Sequence, residues 1–404
     1  MKILLVMIPF IFIFYEVFRQ KKVLTFGIFF NVLSILYLAY GTLELDLMYN
    51  YNKIVIYSSI FAIIGFNTGY ITLKKYNEGY KKVNFNLNYD LVIYGFITIA
   101  TCVQLFLIFK IGIDNFIFSD RVYRAGLLKA YGSLFFYEFW FNIAGLLSLH
   151  RYFETKEKKY LWIFILCFSN IMFLSIVSIS RSAILYSLLP LIYYLNKMNK
   201  LSNKTISVIL SSIFIIFLFI RGVMYKQFLG VDVGENVQLG ELVTWRRIFL
   251  NVLPYYEHQR LYGYSYLQTL ISFVNPLYKG ESLSVWYVKT FEYNYYLSGG
   301  GRGFSGVAEG YINLGYFGVF AYFYLLGKIF KFFQTKDNNF WIFICGSYLM
   351  VNSYRIFRAE SFTVFKYWYW FIVIPIIVSY IFIQRINSKE KSKEIKSMER
   401  LKIE

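Results

Sequence analysis

Long apolar runs separated by short polar stretches dominate the pattern along the chain. Several of these runs reach the roughly 20 residues that a helix needs to cross a bilayer. Hydropathy and length together predict about eleven membrane-spanning helices. In chain order they lie near 3–17, 24–40, 54–72, 89–109, 133–149, 160–177, 183–196, 205–220, 306–327, 339–353 and 363–383. The pattern therefore predicts an all-α, polytopic integral membrane protein.

The distribution of lysine predicts how these helices are oriented. Lysine-rich loops follow the first, third, fifth, seventh and ninth predicted spans, and the tail is lysine-rich as well. The positive-inside rule places such loops in the cytoplasm, so the N-terminus is expected outside and the C-terminus inside. The expected parts are an N-terminal bundle of about eight spans, a long external loop carrying interfacial helices, C-terminal spans and a charged cytoplasmic tail. Their boundaries are 1–220, 221–303, 304–383 and 384–404.

Composition agrees with a membrane protein and argues against two other kinds of function. The chain has 404 residues, of which 58% are hydrophobic and 22% aromatic, well above a typical soluble domain. Much of the net charge of +19 lies in short loops, where it sets topology, so we expect no nucleic-acid partner. Three cysteines in or beside apolar runs and two histidines offer no metal-binding spacing, so we expect neither a metal nor a cofactor.

The predicted external side carries arginine where the cytoplasmic loops carry mainly lysine. Long external loops can escape the positive-inside rule, but short external turns do not readily do so. Arginine binds phosphate and carboxylate through a planar fork of donors, so we expect a functional role for this set. The external arginines are Arg121, Arg124, Arg181, Arg221, Arg246, Arg247, Arg260, Arg302, Arg355 and Arg358.

A glycine-rich stretch, 299–318, combines a loop, a cation and a carboxylate at a predicted membrane boundary. Glycine lets a backbone approach a ligand closely, Arg302 could bind an anion, and Glu309 is costly beside an apolar span unless it is used or paired. The alternative interpretation is a helix-entry loop in which Glu309 pairs with an arginine. His258 is a second candidate base, and Glu257 and Glu360 are lesser candidates.

Three short stretches of the chain form a further pattern: 178–183 between two spans, the run 306–318 with its glutamate, aromatic, asparagine and glycine residues, and the turn 355–360. In these stretches the chain resembles the Wzy-type polymerases of bacterial O-antigen and capsule synthesis. The external loop 119–126 is also similar to a family loop. The resemblance implies a GT-C-like membrane glycosyltransferase without a metal, working on the outer face of the bacterial inner membrane. Such an enzyme moves a growing glycan from undecaprenyl pyrophosphate onto the non-reducing end of another lipid-linked repeat unit.

The resemblance and the residues together predict roles at the site. The expected catalytic residues are Glu309, Arg302 and His258. Arginines are expected to take the place of a metal on the leaving pyrophosphate and to bind the glycan: Arg181, Arg246, Arg247, Arg260, Arg355, Arg358, Arg121 and Arg124. The expected partners are undecaprenyl-pyrophosphate-linked oligosaccharides, membrane lipids and a chain-length regulator protein.

Two other functions stay open at this point. An O-antigen ligase, which hands the glycan to lipid A core, also has a long external loop and usually a functional histidine, for which His258 is available. A lipid-linked oligosaccharide flippase or other transporter would place polar residues at mid-membrane and often has two similar halves. The charges here cluster on one face and no convincing internal repeat is found, which favours the polymerase.

Overall fold

A computed structural model describes residues 1–71, 89–118, 136–177, 181–213, 235–256, 259–278, 280–297 and 302–385. Within these ranges the regular structure is entirely helical and no strand is formed. This confirms the all-helical class that the apolar runs predict.

The helices are named here in chain order. They are α1 (Lys2–Gln20), α2 (Phe26–Ser34, continued by a π-helical turn Ile35–Ala39 and a last turn Tyr40–Thr42), α3 (Asn50–Ile71), α4 (Tyr89–Ile111), α5 (Ile113–Phe118), α6 (Tyr137–Thr155), α7 (Lys158–Val177), α8 (Arg181–Lys197), α9 (203–213), α10 (Glu235–Val252), α11 (Tyr264–Val274), α12 (Leu283–Phe291), α13 (Tyr293–Leu297), α14 (Gly306–Lys336), α15 (Phe340–Ile356) and α16 (Ser361–Trp368, continued by a π-helical turn Tyr369–Val373).

Six helices in the described ranges are long and apolar enough to cross a membrane. They are Lys2–Gln20, Asn50–Ile71, Asp90–Ile111, Lys158–Ser175, Gly306–Lys336 and Ser361–Arg385. Each coincides with one of the predicted spans, and the other predicted spans also fall on helices wherever the structure describes them. The chain is thus consistent with a polytopic membrane protein, while the total of about eleven spans stays a prediction.

The helices form two units, which are described separately. The first consists of Met1–Glu78, Leu188–Asn338 and Gly346–Trp368, and the second of Gly79–Ser187, Asn339–Cys345 and Tyr369–Glu404. The division of the chain at 220, 303 and 383 that the sequence suggests remains a prediction.

Glycines let α3 and α14 pack backbone to backbone in the first unit. A Cβ at Gly65 would lie 2.6 Å from a carbonyl oxygen of α14, and one at Gly69 would lie 2.1 Å from the carbonyl oxygen of Tyr324. On the facing helix, α14, a Cβ at Gly327 would lie 2.2 Å from a carbonyl oxygen of α3. The four-residue spacing puts both α3 glycines on one face, the arrangement by which small residues bring membrane helices together.

Aromatic rings and paired amides complete the packing around α2 in the first unit. The ring of Phe30 stacks on that of Phe66 with centroids 3.5 Å apart and also contacts Phe357 at 5.3 Å. Between α2 and α3, the side chains of Asn31 and Asn67 exchange hydrogen bonds of 2.8 and 2.9 Å. Buried amides are satisfied in this way, as they must be in an apolar environment.

The helix that carries Glu309 is broken and reversed. Leu314 and Gly315 are non-helical, and Gly315 has a φ of 64°, which glycine adopts at little cost. The break divides α14 into a short helix, α14a (306–313), and a long one, α14b (316–336). A Cβ at Gly318 would lie 2.3 Å from the carbonyl oxygen of Gly310, and one at Gly306 would lie 3.1 Å from the ring of Tyr322. The short helix therefore doubles back along the start of the long one.

This reversal differs from the uninterrupted span that the sequence pattern predicts near 306–327. The break frees carbonyl groups at the end of α14a, and residues before α11 take them up. The guanidinium of Arg260 donates to the carbonyl of Tyr311, and the N–H of Leu261 donates to that of Ile312 at 3.0 Å. With a rise of about 1.5 Å per residue, α14b alone is roughly 31 Å long and can cross the hydrocarbon core.

In the second unit, polar pairs join α4 and α7. The hydroxyl of Tyr160 donates to Asp90 at 2.6 Å, and Gln104 and Asn170 exchange amide hydrogen bonds of 3.3 and 3.1 Å. His150 is buried and stacks on a phenylalanine ring with centroids 4.1 Å apart, so one of the two histidines of the chain is part of this packing.

Candidate functional site

Glu309 lies on α14a and is completely buried, at 0% exposure. Its Oε1 accepts hydrogen bonds from the hydroxyls of Ser265 and Ser361, both at 2.7 Å, and its Oε2 accepts one from the backbone N–H of Ser361 at 2.6 Å. Among the described residues, no lysine or arginine forms an ion pair with it. The partners of this buried carboxylate are therefore serines, and not the arginine that the alternative sequence interpretation expects.

The position of Ser361 explains how this carboxylate is accommodated. Ser361 is the first residue of α16, and the first N–H groups of a helix have no partner within that helix. A carboxylate at such an end also meets the positive end of the helix dipole. The carboxylate of Glu309 thus accepts a hydrogen bond from a free N–H at the N-terminus of α16.

Asn313 extends the network and fixes α11 against α14a. Its side-chain amide donates to the hydroxyl of Ser265 and to the carbonyl of Glu309, both at 2.8 Å, and its Oδ1 accepts from the N–H of Gly263 at 2.9 Å. Thr269 adds a hydroxyl contact of 3.0 Å with Ser361. Helices α11, α14a and α16 are consequently held together by polar groups at one buried point.

Two tyrosines of the first unit, Tyr266 on α11 and Tyr322 on α14b, accompany this network. Their rings stack with centroids 5.5 Å apart at 18°. Both hydroxyl oxygens are buried, and neither has a hydrogen-bond partner among the described residues. Burial, and after it the charge of Glu309, raise the pKa of Tyr266 well above its ordinary value. Sequence reasoning missed this pair, which sits in a chain that is rich in tyrosine throughout.

A second buried carboxylate, Glu360, directly precedes Ser361. It is 1% exposed and accepts hydrogen bonds from the hydroxyls of Ser284 and Thr363. The oxygen of Ser284 in turn accepts from the N–H of Phe304 at 3.1 Å. The loop that carries Arg302 is therefore connected through Ser284 to the carboxylates.

The described glycines of the 299–318 stretch approach the protein's own backbone. A Cβ at Gly303 would lie 1.7 Å from the carbonyl oxygen of Arg358, and one at Gly306 would lie 2.9 Å from that of Ile356. These contacts dock the loop on the turn between α15 and α16. The preceding glycines, 299–301, lie outside the described residues, so the expected approach to a ligand stays a prediction for them.

Arg302 lies at the surface with most of its guanidinium unused. Its Nε donates to Glu292 at 2.8 Å, and its guanidinium carbon lies 4.6 Å from the centroid of the Tyr295 ring. The side chain is 37% exposed, and its two terminal nitrogens donate to none of the described residues.

Arg247 is a second arginine whose guanidinium is unused among the described residues. It is exposed, on α10, and among the described residues it forms no hydrogen bond or ion pair. Burial raises the pKa of Tyr287, while Arg247 and Arg302 both act on it in the opposite direction, so both guanidinium groups are within electrostatic range of one phenol. Asn251 donates to that phenol at 2.8 Å.

The residues 237–391 match the family model described as O-antigen polysaccharide polymerase Wzy. Over these residues, fewer than half of the chain, the sequence is similar to that family. No curated protein and no solved structure matches it. At the level of the family, the match supports a membrane O-antigen polymerase. The Wzy-type region runs from α10 through α16, so it contains both buried carboxylates and Arg302.

Other predicted arginines of the Wzy-type region are used within the fold. Arg246 donates to the carbonyl of Gly41 at 2.9 Å and pairs with Glu44 at 3.1 Å. Arg260 donates to the carbonyl of Tyr311 at the break in α14. Arg355, in the last turn of α15, and Arg358, on the turn before α16, are both partly buried and have partners within the protein.

The remaining predicted site residues lie either outside the described residues or in the second unit. His258, Arg121 and Arg124 lie outside the described residues, as does Glu257. Arg181 begins α8, in the second unit, and its side chain is not described. Within the described ranges, no group of three or more histidine, cysteine, aspartate or glutamate side chains is arranged to hold a metal ion.

Proposed function

We propose that the chain polymerises undecaprenyl-pyrophosphate-linked oligosaccharide repeat units into O-antigen or capsular polysaccharide. One observation carries the proposal. The Wzy-type match covers the segment that contains a fully buried carboxylate, Glu309, and the exposed, largely unused guanidinium of Arg302. The family acts on lipid-linked repeat units in membranes, and these two groups supply what such a transfer needs.

The proposed setting is the outer face of the bacterial inner membrane. The lysine-rich loops favour an N-terminus outside, a cytoplasmic C-terminus and an external segment 221–303. With about eleven spans, this topology is GT-C-like and puts the Arg302 loop on the side where lipid-linked substrates are delivered. A chain-length regulator protein is a proposed partner.

The proposed reaction is a substitution at the anomeric carbon of the donor glycan. The oxygen of an acceptor sugar hydroxyl forms a bond to this carbon, and the bond from the carbon to the pyrophosphate oxygen breaks. The bonding electrons leave with undecaprenyl pyrophosphate, and the acceptor proton passes to a base. Each transfer thus lengthens one lipid-linked glycan and releases one lipid pyrophosphate.

Arg302 and Arg247 are the proposed binding groups for the leaving pyrophosphate, without a metal. Guanidinium groups can stabilise the charge that develops on the leaving oxygen and can bind phosphate through two parallel hydrogen bonds. Their unused donors support this choice, whereas Arg246 and Arg260 already donate to protein carbonyls. Arg355, Arg358, Arg181, Arg121 and Arg124 remain proposed glycan or pyrophosphate contacts.

Glu309 is the proposed general base. Its Oε1 already accepts two hydroxyl hydrogen bonds, the kind of bond that an acceptor hydroxyl would make before losing its proton. An acceptor sugar would take the place of the Ser265 hydroxyl, which requires α11 to move. His258 is the proposed alternative base.

The test uses purified protein in detergent with a synthetic undecaprenyl-pyrophosphate-linked repeat unit, without added metal or nucleotide. We expect a ladder of longer lipid-linked products from the wild type. Glu309→Gln should lower kcat by about 100-fold or more, as loss of a general base does. Arg302→Lys keeps the positive charge but loses the planar pair of guanidinium donors, so it should weaken binding of the lipid-pyrophosphate donor.

Glu281→Gln is the matched control for Glu309→Gln. Glu281 is an exposed glutamate that pairs with Lys289 at 2.8 Å, so its loss should leave the ladder unchanged. A full ladder from Glu309→Gln would remove Glu309 as the base and direct attention to His258. Absence of any ladder from folded wild type would contradict the polymerase, and a lipid A core acceptor would then test the ligase.

A further inference from the structure

The stacked tyrosines Tyr266 and Tyr322 each carry a buried hydroxyl for which the fold gives no evident reason. Both side chains are only partly buried, yet their hydroxyl oxygens are fully buried and have no hydrogen-bond partner in the described part of the chain. A buried hydroxyl without a partner lowers stability, because it gives up its bonds to water and gains none in return. Phenylalanine would fill the same space without this cost.

The reversal of α14 brings these hydroxyls to the carboxylates. Tyr266 follows Ser265, which donates to Glu309 at 2.7 Å. Tyr322 lies on α14b where α14a folds back, with its ring beside Gly306. Gly306 lies one helical turn before Glu309 on α14a, so the ring of Tyr322 packs within one turn of the carboxylate-bearing residue. Two buried hydroxyls that have no hydrogen-bond partner among the described residues thus belong to side chains that pack around the Glu309 network.

Both tyrosines are partly exposed although their hydroxyl oxygens are buried, so atoms other than the hydroxyl lie at the surface in each residue. An oxygen-rich ligand that approaches Glu309 along this pair would meet both phenol O–H groups. A sugar ring fits this pattern, because it offers several neighbouring hydroxyl oxygens as acceptors and an apolar face that can lie on an aromatic ring.

We propose that the hydroxyls of Tyr266 and Tyr322 bind oxygens of the acceptor sugar and position its reacting hydroxyl at Glu309. The assignment rests on the proposed polymerase function and names the acceptor as the substrate that these residues serve. Neither tyrosine takes part in the proton transfer.

The test replaces only the two hydroxyls, with Tyr266→Phe and Tyr322→Phe. Since neither hydroxyl has a partner to lose, both variants should unfold at the wild-type temperature or above it. The KM for the acceptor should rise by about 10-fold in each, the effect of one lost hydrogen bond to a substrate, with a smaller change in kcat. Tyr70→Phe is the matched control, because the hydroxyl of Tyr70 donates to Glu16 at 2.8 Å. It should lower the unfolding temperature and leave the KM unchanged.

A second measurement separates this inference from the proposed function. Binding of a lipid-free acceptor oligosaccharide is measured by calorimetry, without any donor, on the wild type and both variants. If the wild type does not polymerise but binds the oligosaccharide more tightly than the variants do, the polymerase proposal fails and the sugar site stands. If the variants match the wild type in both KM and binding, the sugar site is refuted.

Discussion

The contacts of Glu309 predict that Glu309→Ala destabilises the protein whatever the chemical role of the carboxylate. The backbone N–H of Ser361 donates to Oε2 at 2.6 Å, and Ser361 is 2% exposed, so the lost acceptor lies away from bulk solvent. An unpaired buried donor costs about 1–3 kcal/mol. The two hydroxyl bonds to Oε1 add to this cost, although the hydroxyl of Ser361 can still turn to Thr269 at 3.0 Å. The expected loss is about 2–5 kcal/mol in total.

Glu309→Gln should cost less, about 1–2 kcal/mol, because its amide oxygen can still accept from the Ser361 N–H while the serine hydroxyls turn to accept from the new NH₂ group. The measurement is the fraction of monodisperse protein that remains after heating in detergent, by size-exclusion chromatography. Glu281→Ala, which removes an exposed glutamate, should behave like the wild type. If Glu309→Ala also unfolds at the same temperature as the wild type, the network does not hold α11, α14a and α16 together, and this reasoning is refuted.

Two further changes probe the packing that supports the site. Gly69→Ala should cost about 1–3 kcal/mol or more, because its Cβ would lie 2.1 Å from the carbonyl oxygen of Tyr324; Gly95→Ala, with no atom within 4 Å of its Cβ, is the control, and equal melting temperatures would contradict the close packing. Arg260→Ala should cost about 1–3 kcal/mol because the carbonyl of Tyr311 loses its donor; unchanged melting would show that the break in α14 needs no such cap.

Hydropathy was sufficient to find the helices, because burial in lipid or in a protein core both select long apolar runs. It could not find the reversal at Gly315. A single glycine within an apolar run is compatible with a continuous helix, and the average hydropathy is the same whether the chain continues or turns back. The two arrangements are distinguished by the backbone angles at Leu314 and Gly315 and by contacts such as that between Gly310 and Gly318.

The hydrogen-bond partners of Glu309 could not be predicted from the sequence, for a different reason. Ser265 and Ser361 lie 44 and 52 residues away along the chain, and nothing in their local sequence specifies a carboxylate. A signal was nevertheless present in α11. Ser265, Gln268, Thr269 and Ser272 recur at helical spacing within an apolar segment, which marks one polar face. The usual expectation that a polar helix face is exposed to water would have predicted the wrong orientation for α11, because these residues are buried.

The arginines show how far residue type alone can lead. Arg246 and Arg247 are neighbours of the same type, and the sequence treats them alike. Their places on α10 differ by about 100°, since a helix has 3.6 residues per turn. This turns Arg246 to the carbonyl of Gly41 and leaves Arg247 exposed. Such a difference depends on which helix face is covered, and that is decided by packing.

The inward-facing polar side of α11 has a consequence for the order in which the chain can assemble. Its polar residues are buried, whereas Leu267, Leu270 and Val274 on the opposite side are 51%, 59% and 86% exposed. The acceptor for Ser265 is synthesised 44 residues later, and the hydroxyl partner of Thr269 follows after 92 residues. Until Ser361 has left the ribosome, Glu309 lacks two of its three hydrogen-bond donors and Thr269 lacks its hydroxyl partner, so of these contacts α11 keeps only those with α14a. Nascent chains that stop before 361 should therefore leave this helix accessible to protease, and the site forms only when the last predicted span has been made.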